Sequence, residues 1–271
     1  NRLDYSTDYG IARALNGLFS FEPGCPEYRL TKDEIRVVVD RTVKEVRPYI
    51  VSLVVRGLRL DDESIRQIIT MQEDIHNGIG RRRQKASIGI HNLDVVKPPI
   101  KYSTAPPDFR FIPLGLDKAL SIKEILEKMD VGREYGWIVS GHNRYPILTD
   151  VRGEVLSFPP IINGELTRVT SKTENIFIDI TATDLKTAED ALAILSTALQ
   201  DAGGTLKTVR IEYPERVMVT PDLRPYRMQL DPGLANRLLG LNLSEEEVAE
   251  CLKRCRINAS PKKGSLEAVI P

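Results

Sequence analysis

Two runs decide how this chain folds: Val155-Leu156-Ser157-Phe158-Pro159-Pro160-Ile161-Ile162-Asn163-Gly164 and, a little downstream, Ile176-Phe177-Ile178-Asp179-Ile180-Thr181-Ala182-Thr183-Asp184. The first is a short apolar run with Ser157 in its middle. It stops at Pro159-Pro160, which have no N–H to give to a central ladder. Ile161-Ile162 then lead into Asn163-Gly164, a turn signal. The second run alternates: Ile176, Ile178 and Ile180 face one way, and Phe177, Asp179 and Thr181 the other. A carboxylate and a hydroxyl two residues apart on one strand face leave two readings. Either the strand is half solvated, which is what periodicity alone favours, or its polar face lines a pocket.

Upstream, Asp150-Val151-Arg152-Gly153 reads as a hairpin turn ahead of the first run. Residues 145–148 and 137–139 read as strands. Ser121 and Glu124 form a capping box opening a helix through Met129, closed by Gly132. Lys97-Pro98-Pro99 and Ala105-Pro106-Pro107 mark loops, with short strands expected at 100–103 and 109–112. Residues 86–90 read as a strand ending at His91. A helix with Ile65, Ile68, Ile69, Gln72 and Ile75 on one stripe follows the acidic cap 61–63 and ends at Gly78 and Gly80. Residues 35–60 are rich in β-branched side chains and predict two or three strands. Ser6-Thr7 cap a short helix carrying Ile11, Leu15 and Leu18.

Downstream, Thr183-Asp184 cap a long helix with Leu185, Ala188, Ala191, Leu192, Leu195 and Leu199 inward, ended by Gly203-Gly204. Residues 205–212 and 216–220 complete a sheet, and 221–225 read as a boundary. Beyond it come a helix from Asp231-Pro232, a second from the capping box Ser244/Glu247, and a closing strand at 266–270. Short strands, a few long helices and no regular βα alternation predict an α+β fold: a layered β-sandwich with covering helices over 31–220.

The chain has 271 residues, 38 Lys+Arg and 38 Asp+Glu, so its net charge is zero. That excludes the global basic field of a free-standing nucleic-acid binder; any RNA contact must be local or come from another chain. A hydrophobic content of 41% argues against disorder. No apolar run approaches the roughly 20 residues of a membrane span. There is no signal peptide, and the chain opens on Asn1 rather than Met, as expected of a fragment. Cys25, Cys251 and Cys255, with three scattered histidines, make no metal cluster and fit a reducing cytoplasm. The densest basic cluster is Arg81-Arg82-Arg83 with Lys85. It reads equally as a solvated loop or as a phosphate-neutralising patch.

The two opening runs resemble the editing domain of the β subunit of phenylalanyl-tRNA synthetase, archaeal/eukaryotic type. Val46-Arg47-Pro48-Tyr49-Ile50-Val51, Gln72 to His76, Arg82 to His91 and Tyr145 to Asp150 fit the same family in the same order. The resemblance implies a tail of a preceding domain over 1–30, the editing domain over 31–220, and a truncated winged-helix-like domain over 221–271. It implies hydrolysis of tyrosine mischarged onto tRNA(Phe). An apolar pocket rejects an added hydroxyl by only about a hundredfold, so a second site that bonds the phenol is needed.

Within that resemblance, Leu148, Pro159 and Pro160 are expected to build an apolar slot, and Ser157, Asn163, Asp179 and Thr181 its polar contacts. Asp179 is the first choice of acceptor, because an ionised carboxylate only accepts. Ser157 has no adjacent base and is read as a ligand, not a nucleophile; no catalytic residue and no metal ligand is assigned. The water is expected to be positioned by backbone groups and the tRNA terminus. Ser157 and Asp179 must then line one cleft with an opening. Arg81, Arg82, Arg83, Lys85 and His91 are the candidates for tRNA contact. Ala182 stands where the family often has Gly. The implied partners are the synthetase α subunit and tRNA(Phe) in an α2β2 cytoplasmic enzyme, with no membrane. ATP and Mg belong to the full ligase and not to this fragment, which lacks Walker, Gly-x-Ser-x-Gly and His-Glu-x-x-His motifs. The alternative class is a non-catalytic RNA- or protein-binding module, or a scaffold, of a larger assembly.

Overall fold

Strand β10 (Ile176–Ala182) is buried along its whole length. It pairs antiparallel with β2 (Tyr49–Arg56) on one side and β3 (Ala86–Asn92) on the other. Helix α5 (Leu185–Asp201) packs on β10 and β2. At its end the Gly204 backbone comes so close to Val55 that a Cβ there would lie 2.4 Å from the valine side chain. Val55 pairs with Ile176, so Ile176, Ile178 and Ile180 lie on the α5 side. Phe177 points the other way, into a core with Val37, Val39, Ile50, Val54, Tyr102, Leu148 and Leu156. The half-solvated strand that periodicity favoured is thus buried on both faces, because α5 covers one and the interior core the other.

The structure, a computed structural model, describes residues 2–262 and 264–271. It divides into two units. One comprises the residues up to Ser6 and Arg29–Asp222; the other comprises Thr7–Tyr28 and Leu223–Pro271.

In the first unit one sheet runs β3-β10-β2-β11-β1-β4-β7-β8-β9, with β12 (Val217–Thr220) paired to β11 (Thr205–Glu212). The remaining members are β1 (Thr31–Val39), β4 (Ile100–Ala105), β7 (Tyr145–Thr149), β8 (Val155–Phe158) and β9 (Ile162–Asn163). β1 is parallel to both β11 and β4; the other pairs are antiparallel. The end strands approach each other, and Asn163 Nδ2 donates to the Ile90 carbonyl of β3 at 3.4 Å. The expected sandwich of layers is therefore one nearly closed sheet: β1 pairs on both edges and joins what would otherwise be two layers.

The β2–β11 ladder spans only Leu53–Arg56 on the β2 side. Beyond it, side chains stand in for the missing strand. The Thr220 hydroxyl accepts from the Ser52 N–H (2.9 Å) and donates to the Ser52 carbonyl (2.8 Å). The Tyr213 hydroxyl does the same for Ile50, at 2.8 and 3.1 Å.

Helix α2 (Asp62–Asn77) starts where Asp61 accepts from the Ser64 N–H. A second apolar cluster joins Ile147, Val155, Phe158 and Ile161 to Ile122, Ile125 and Tyr135. These last belong to α3 (Ile122–Lys128), opened by the Ser121/Glu124 capping box, and α4 (Asp130–Tyr135). The hairpin β5 (Arg110–Phe111) and β6 (Leu120–Ser121) precedes them. Gly132 does not close α3. It lies inside α4, where a Cβ would sit 2.0 Å from the Ile125 carbonyl oxygen, so the glycine permits the close packing of two short helices. The strand expected at 137–139 is instead largely a 3-10 turn, Gly136–Ile138, that continues α4.

The second unit holds α1 (Asp8–Leu18), capped by Thr7, with α6 (Pro232–Leu239) and α7 (Glu245–Arg254). Its antiparallel sheet runs β13 (Tyr226–Leu230), β15 (Ser265–Ile270), β14 (Asn258–Lys262). α1 packs on α7, where Gly17 stands so close that a Cβ would lie 2.6 Å from the Arg254 carbonyl oxygen. Residues 7–28 therefore fold with the C-terminal residues instead of forming a separate tail over 1–30. Among the described residues no helix is long and apolar enough to cross a membrane.

Candidate functional site

Three neighbouring strands build one wall inside the sheet. Across it, Ser52, Asp179 and Gly89 form one rung, Ile50, Thr181 and Ser87 the next, and Val54, Phe177 and His91 the third. Residues paired directly across strands share a face, and Ile50, Val54 and Phe177 belong to the interior core. On the far side, Tyr102 pairs with Leu148, Leu148 with Ser157, and Ser157 with Asn163. Leu148 and Phe177 meet in the same core. Ser157 thus belongs to the wall opposite Asp179 in one enclosed interior.

Asp179 is 1% exposed, and its Oδ1 lies 2.7 Å from His91 Nε2. Among the described residues no other hydrogen bond reaches this carboxyl group. With the carboxylate as acceptor, Nε2 carries the proton, and Nδ1 receives the Thr167 hydroxyl at 2.9 Å. The His91 ring stacks against Phe177, centroids 6.1 Å apart. Gly89 makes the pair possible, since a Cβ there would fall 2.4 Å from Asp179 Oδ1 and 2.6 Å from His91 Nε2.

Thr181 is fixed by a buried arginine. Arg47 Nε donates to Thr181 Oγ1 (2.9 Å), and its Nη2 donates to the Thr181 carbonyl (2.8 Å) and the Arg83 carbonyl (3.0 Å). Arg47 Nη1 reaches the Gln84 carbonyl at 3.1 Å. Burial pulls the Arg47 pKa down to about 10, opposed by the nearby Tyr102 and Asp179. Ser87 Oγ completes the group, 3.1 Å from Thr181 Oγ1.

Two hydroxyls on these walls, Ser52 and Ser157, are buried and have no hydrogen-bond partner among the described residues. Ser157 is 2% exposed, Leu148 and Thr181 are fully buried, and Pro159 and Pro160 are buried as well. Phe177, Tyr102, Leu148 and Leu156 belong to the buried apolar cluster between these walls. Asn163 is half-buried at the seam between the end strands.

The basic run divides. Arg81, Arg82 and Arg83 all have positive φ (48°, 52° and 66°), so each side chain leaves the turn in a different direction. Arg81 and Arg82 are exposed, and Arg82 lies 3.6 Å from Glu134. Lys85 is half-buried, 3.9 Å from Asp184. Arg83 turns inward: it donates to the Pro160 (3.4 Å) and Ile161 (3.1 Å) carbonyls and to Glu73 (2.9 Å), and its guanidinium lies 4.3 Å over the Tyr135 ring. Arg83 therefore braces the double-proline corner. His91, at 0% exposed, is unavailable to a tRNA phosphate, because its strand is covered and its two ring nitrogens are occupied.

His76 anchors the same corner. Its Nε2 accepts from the Ile88 N–H (2.8 Å), so the proton sits on Nδ1, 3.1 Å from Glu73 Oε1. Burial lowers the His76 pKa from 6.5. The His76 hydrogen bond, aided by Arg83, holds Glu73 down to about 2 against an ordinary 4.5. Both folded values lie below the unfolded ones, so both groups bind protons more readily when unfolded, and stability falls as pH falls. The loss begins below about pH 6.5 with His76 and continues from about 4.5 toward 2 with Glu73. Urea titrations at pH 7.5, 5.5 and 4 should show midpoints decreasing in that order. His76→Asn should flatten the step between the first two.

Among the described residues no group of three or more His, Cys, Asp or Glu side chains could hold a metal ion. Ser52, Arg47, Gly89 and Thr167 were not singled out from the sequence. Ser52 sits in an apolar run and Arg47 before a proline, and neither carries a local signal of what faces it.

The family model of the B3/4 domain matches residues 35–200. The chain is 44% identical over 273 residues to the phenylalanine-tRNA ligase β subunit of Methanothrix thermoacetophila, covering 100% of this chain and 50% of that protein. It is 42% identical over 271 residues to that of Archaeoglobus fulgidus, covering 100% and 49%. It thus spans about half the length of the curated relatives it matches. Its structure aligns with an N-terminal fragment of the phenylalanyl-tRNA synthetase β subunit from Pyrococcus horikoshii with a TM-score of 0.96 at 40% identity, covering 100% of this chain and 78% of that one. With its fold, its B3/4 match and these relatives in agreement, the chain belongs to the family of phenylalanine-tRNA ligase β subunits.

Proposed function

We propose that the first unit is a proofreading module that hydrolyses tyrosine mischarged onto tRNA(Phe). The observation that carries this reading is Asp179: a carboxyl group sealed from solvent and met by a single hydrogen bond. Burying a carboxylate is costly unless its oxygens are satisfied, and a ligand hydroxyl supplies what the protein withholds. A phenol O–H donating to Asp179 distinguishes tyrosine from phenylalanine, because without it the carboxyl group keeps only its His91 bond. Ser157 adds a second contact from the opposite wall, and Thr181, Leu148 and the Pro159-Pro160 corner bound the slot. The ester is attacked by a water held by backbone groups and the tRNA terminus. Ligand entry requires the interior to open. The seam between β3 and β9, held by the Asn163 and Thr167 side chains instead of a ladder, is where it does so.

The unit works within a ligase that pairs the β subunit with an α subunit as α2β2 in the cytoplasm. ATP and Mg are used by that whole enzyme. Arg81, Arg82 and Lys85 are its tRNA-phosphate contacts on this chain. The second unit, with short helices and a three-stranded antiparallel sheet, is winged-helix-like. One observation favours a non-catalytic binding module instead: the closed interior. Deacylation by the full ligase separates the two. Tyr-tRNA(Phe) should be hydrolysed faster than Phe-tRNA(Phe), and Asp179→Ala or Ser157→Ala should slow it by about tenfold or more, the scale of one lost hydrogen bond. Equal background rates on both substrates favour the binding module.

A further inference from the structure

The wall behind Asp179 carries a group with no assigned role, the hydroxyl of Ser52. Ser52 is fully buried, and its Oγ has no hydrogen-bond partner among the described residues. Its own backbone N–H and carbonyl are bonded to the Thr220 hydroxyl. It stands directly opposite Asp179 in the β2–β10 ladder, which places the two Cβ atoms roughly 4.5–5.5 Å apart on one face. A single oxygen atom between two such side chains is within reach of both. Its neighbours along β2, Ile50 and Val54, are core residues. An alanine or valine would fill this place at lower cost than an unpaired hydroxyl.

We propose that Ser52 is a specificity-determining contact for the phenol of the amino acid. This rests on the editing reading. The phenol donates a hydrogen bond to Asp179 and accepts one from Ser52 Oγ, so the Ser52 hydroxyl is satisfied, and Asp179 gains a donor beyond His91, only when the phenol is present. A phenylalanyl ring leaves Ser52 Oγ unpaired and Asp179 with its His91 bond alone. Selectivity thus comes from a donor–acceptor pair on adjacent strands and not from the carboxylate alone.

The test is Ser52→Ala in the full-length ligase, with Ser52→Cys as a second variant of similar size. Deacylation of Tyr-tRNA(Phe) and Phe-tRNA(Phe) is measured beside the melting temperature. Binding of 3′-tyrosylamino- and 3′-phenylalanylamino-3′-deoxyadenosine, which resist hydrolysis, is measured in parallel. The expected result is a loss of about tenfold in the Tyr-over-Phe preference, in both rate and binding, with the Phe values unchanged and no fall in melting temperature. An unchanged preference in a wild-type enzyme that edits overturns the role of Ser52 and leaves the editing reading standing. Equal losses on both substrates with a lower melting temperature also overturn it, as a packing effect. If the wild type shows no Tyr preference in deacylation, the editing reading fails; the Ser52 contact then stands or falls on whether Ser52→Ala weakens the tyrosyl analogue selectively.

Discussion

Arg47→Met is expected to destabilise the protein by about 3 kcal/mol, from the loss of donors to several buried acceptors. In a unit of this size that lowers the melting temperature by roughly 6–12 °C. Arg47 is buried and, among the described residues, carries no direct carboxylate partner; its donors go to Thr181 and to the carbonyls of Arg83 and Gln84. Those carbonyls belong to a turn with three successive non-glycine residues at positive φ. Each such residue costs about 1–2 kcal/mol, so the turn persists only while its surroundings hold it. Its own backbone bonds contribute, notably Arg83 N–H to the His76 carbonyl and Lys85 N–H to the Gly80 carbonyl. Arg47 ties the turn to β10. Methionine fills the volume and gives back no donor, and Arg47→Lys restores the charge without the planar fork. Hydrogen exchange should accelerate first at residues 81–85 and then at Thr181. A melting temperature within 2 °C or so of wild type would show that the turn is held by its own backbone bonds.

The polar side of β10 could be read from alternation alone, and so could the helix starts, where Asp61, Ser121, Asp184 and Ser244 all cap as their spacing indicates. Local pattern reports which residues share a face. It does not report what lies across from that face. That is why β10 looked half solvated while α5 and the interior core bury its two faces. The same limit hid Ser52, whose partner across the ladder is distant in sequence, and Arg47, whose bonds run to residues far along the chain. The arginine run shows a different limit. Three identical residues look interchangeable, but the left-handed turn sends Arg83 under the double-proline corner and leaves Arg81 and Arg82 outside. Gly132 fits a helix stop by composition, and its actual role is to let two backbones touch.

On the proofreading function proposed above, Gly89→Ala is expected to reduce Tyr-tRNA(Phe) deacylation by about a hundredfold, the effect of shifting a positioned group by about 1 Å. The added methyl carbon would lie 2.4 Å from Asp179 Oδ1 and 2.6 Å from His91 Nε2, well inside contact distance. Both atoms belong to buried side chains whose routes of retreat are blocked. His91 is held by Thr167 and stacks on Phe177, and Asp179 sits between Ser52 and Gly89 in the ladder. The alanine therefore pushes the carboxyl group and the ring apart and breaks their 2.7 Å bond. The strand itself gains from the change, since glycine is the poorer strand residue. Activity should accordingly fall further than stability. His91→Ala provides the control. It removes the ring, relieves the crowding and leaves Asp179 without its donor. If the His91–Asp179 bond is what fixes the carboxylate, Gly89→Ala combined with His91→Ala should be no slower than His91→Ala alone, a non-additivity expected of groups acting as one unit. Additive losses in the double variant would mean that Gly89 serves the substrate directly, by leaving room beside Asp179, and not through the pair.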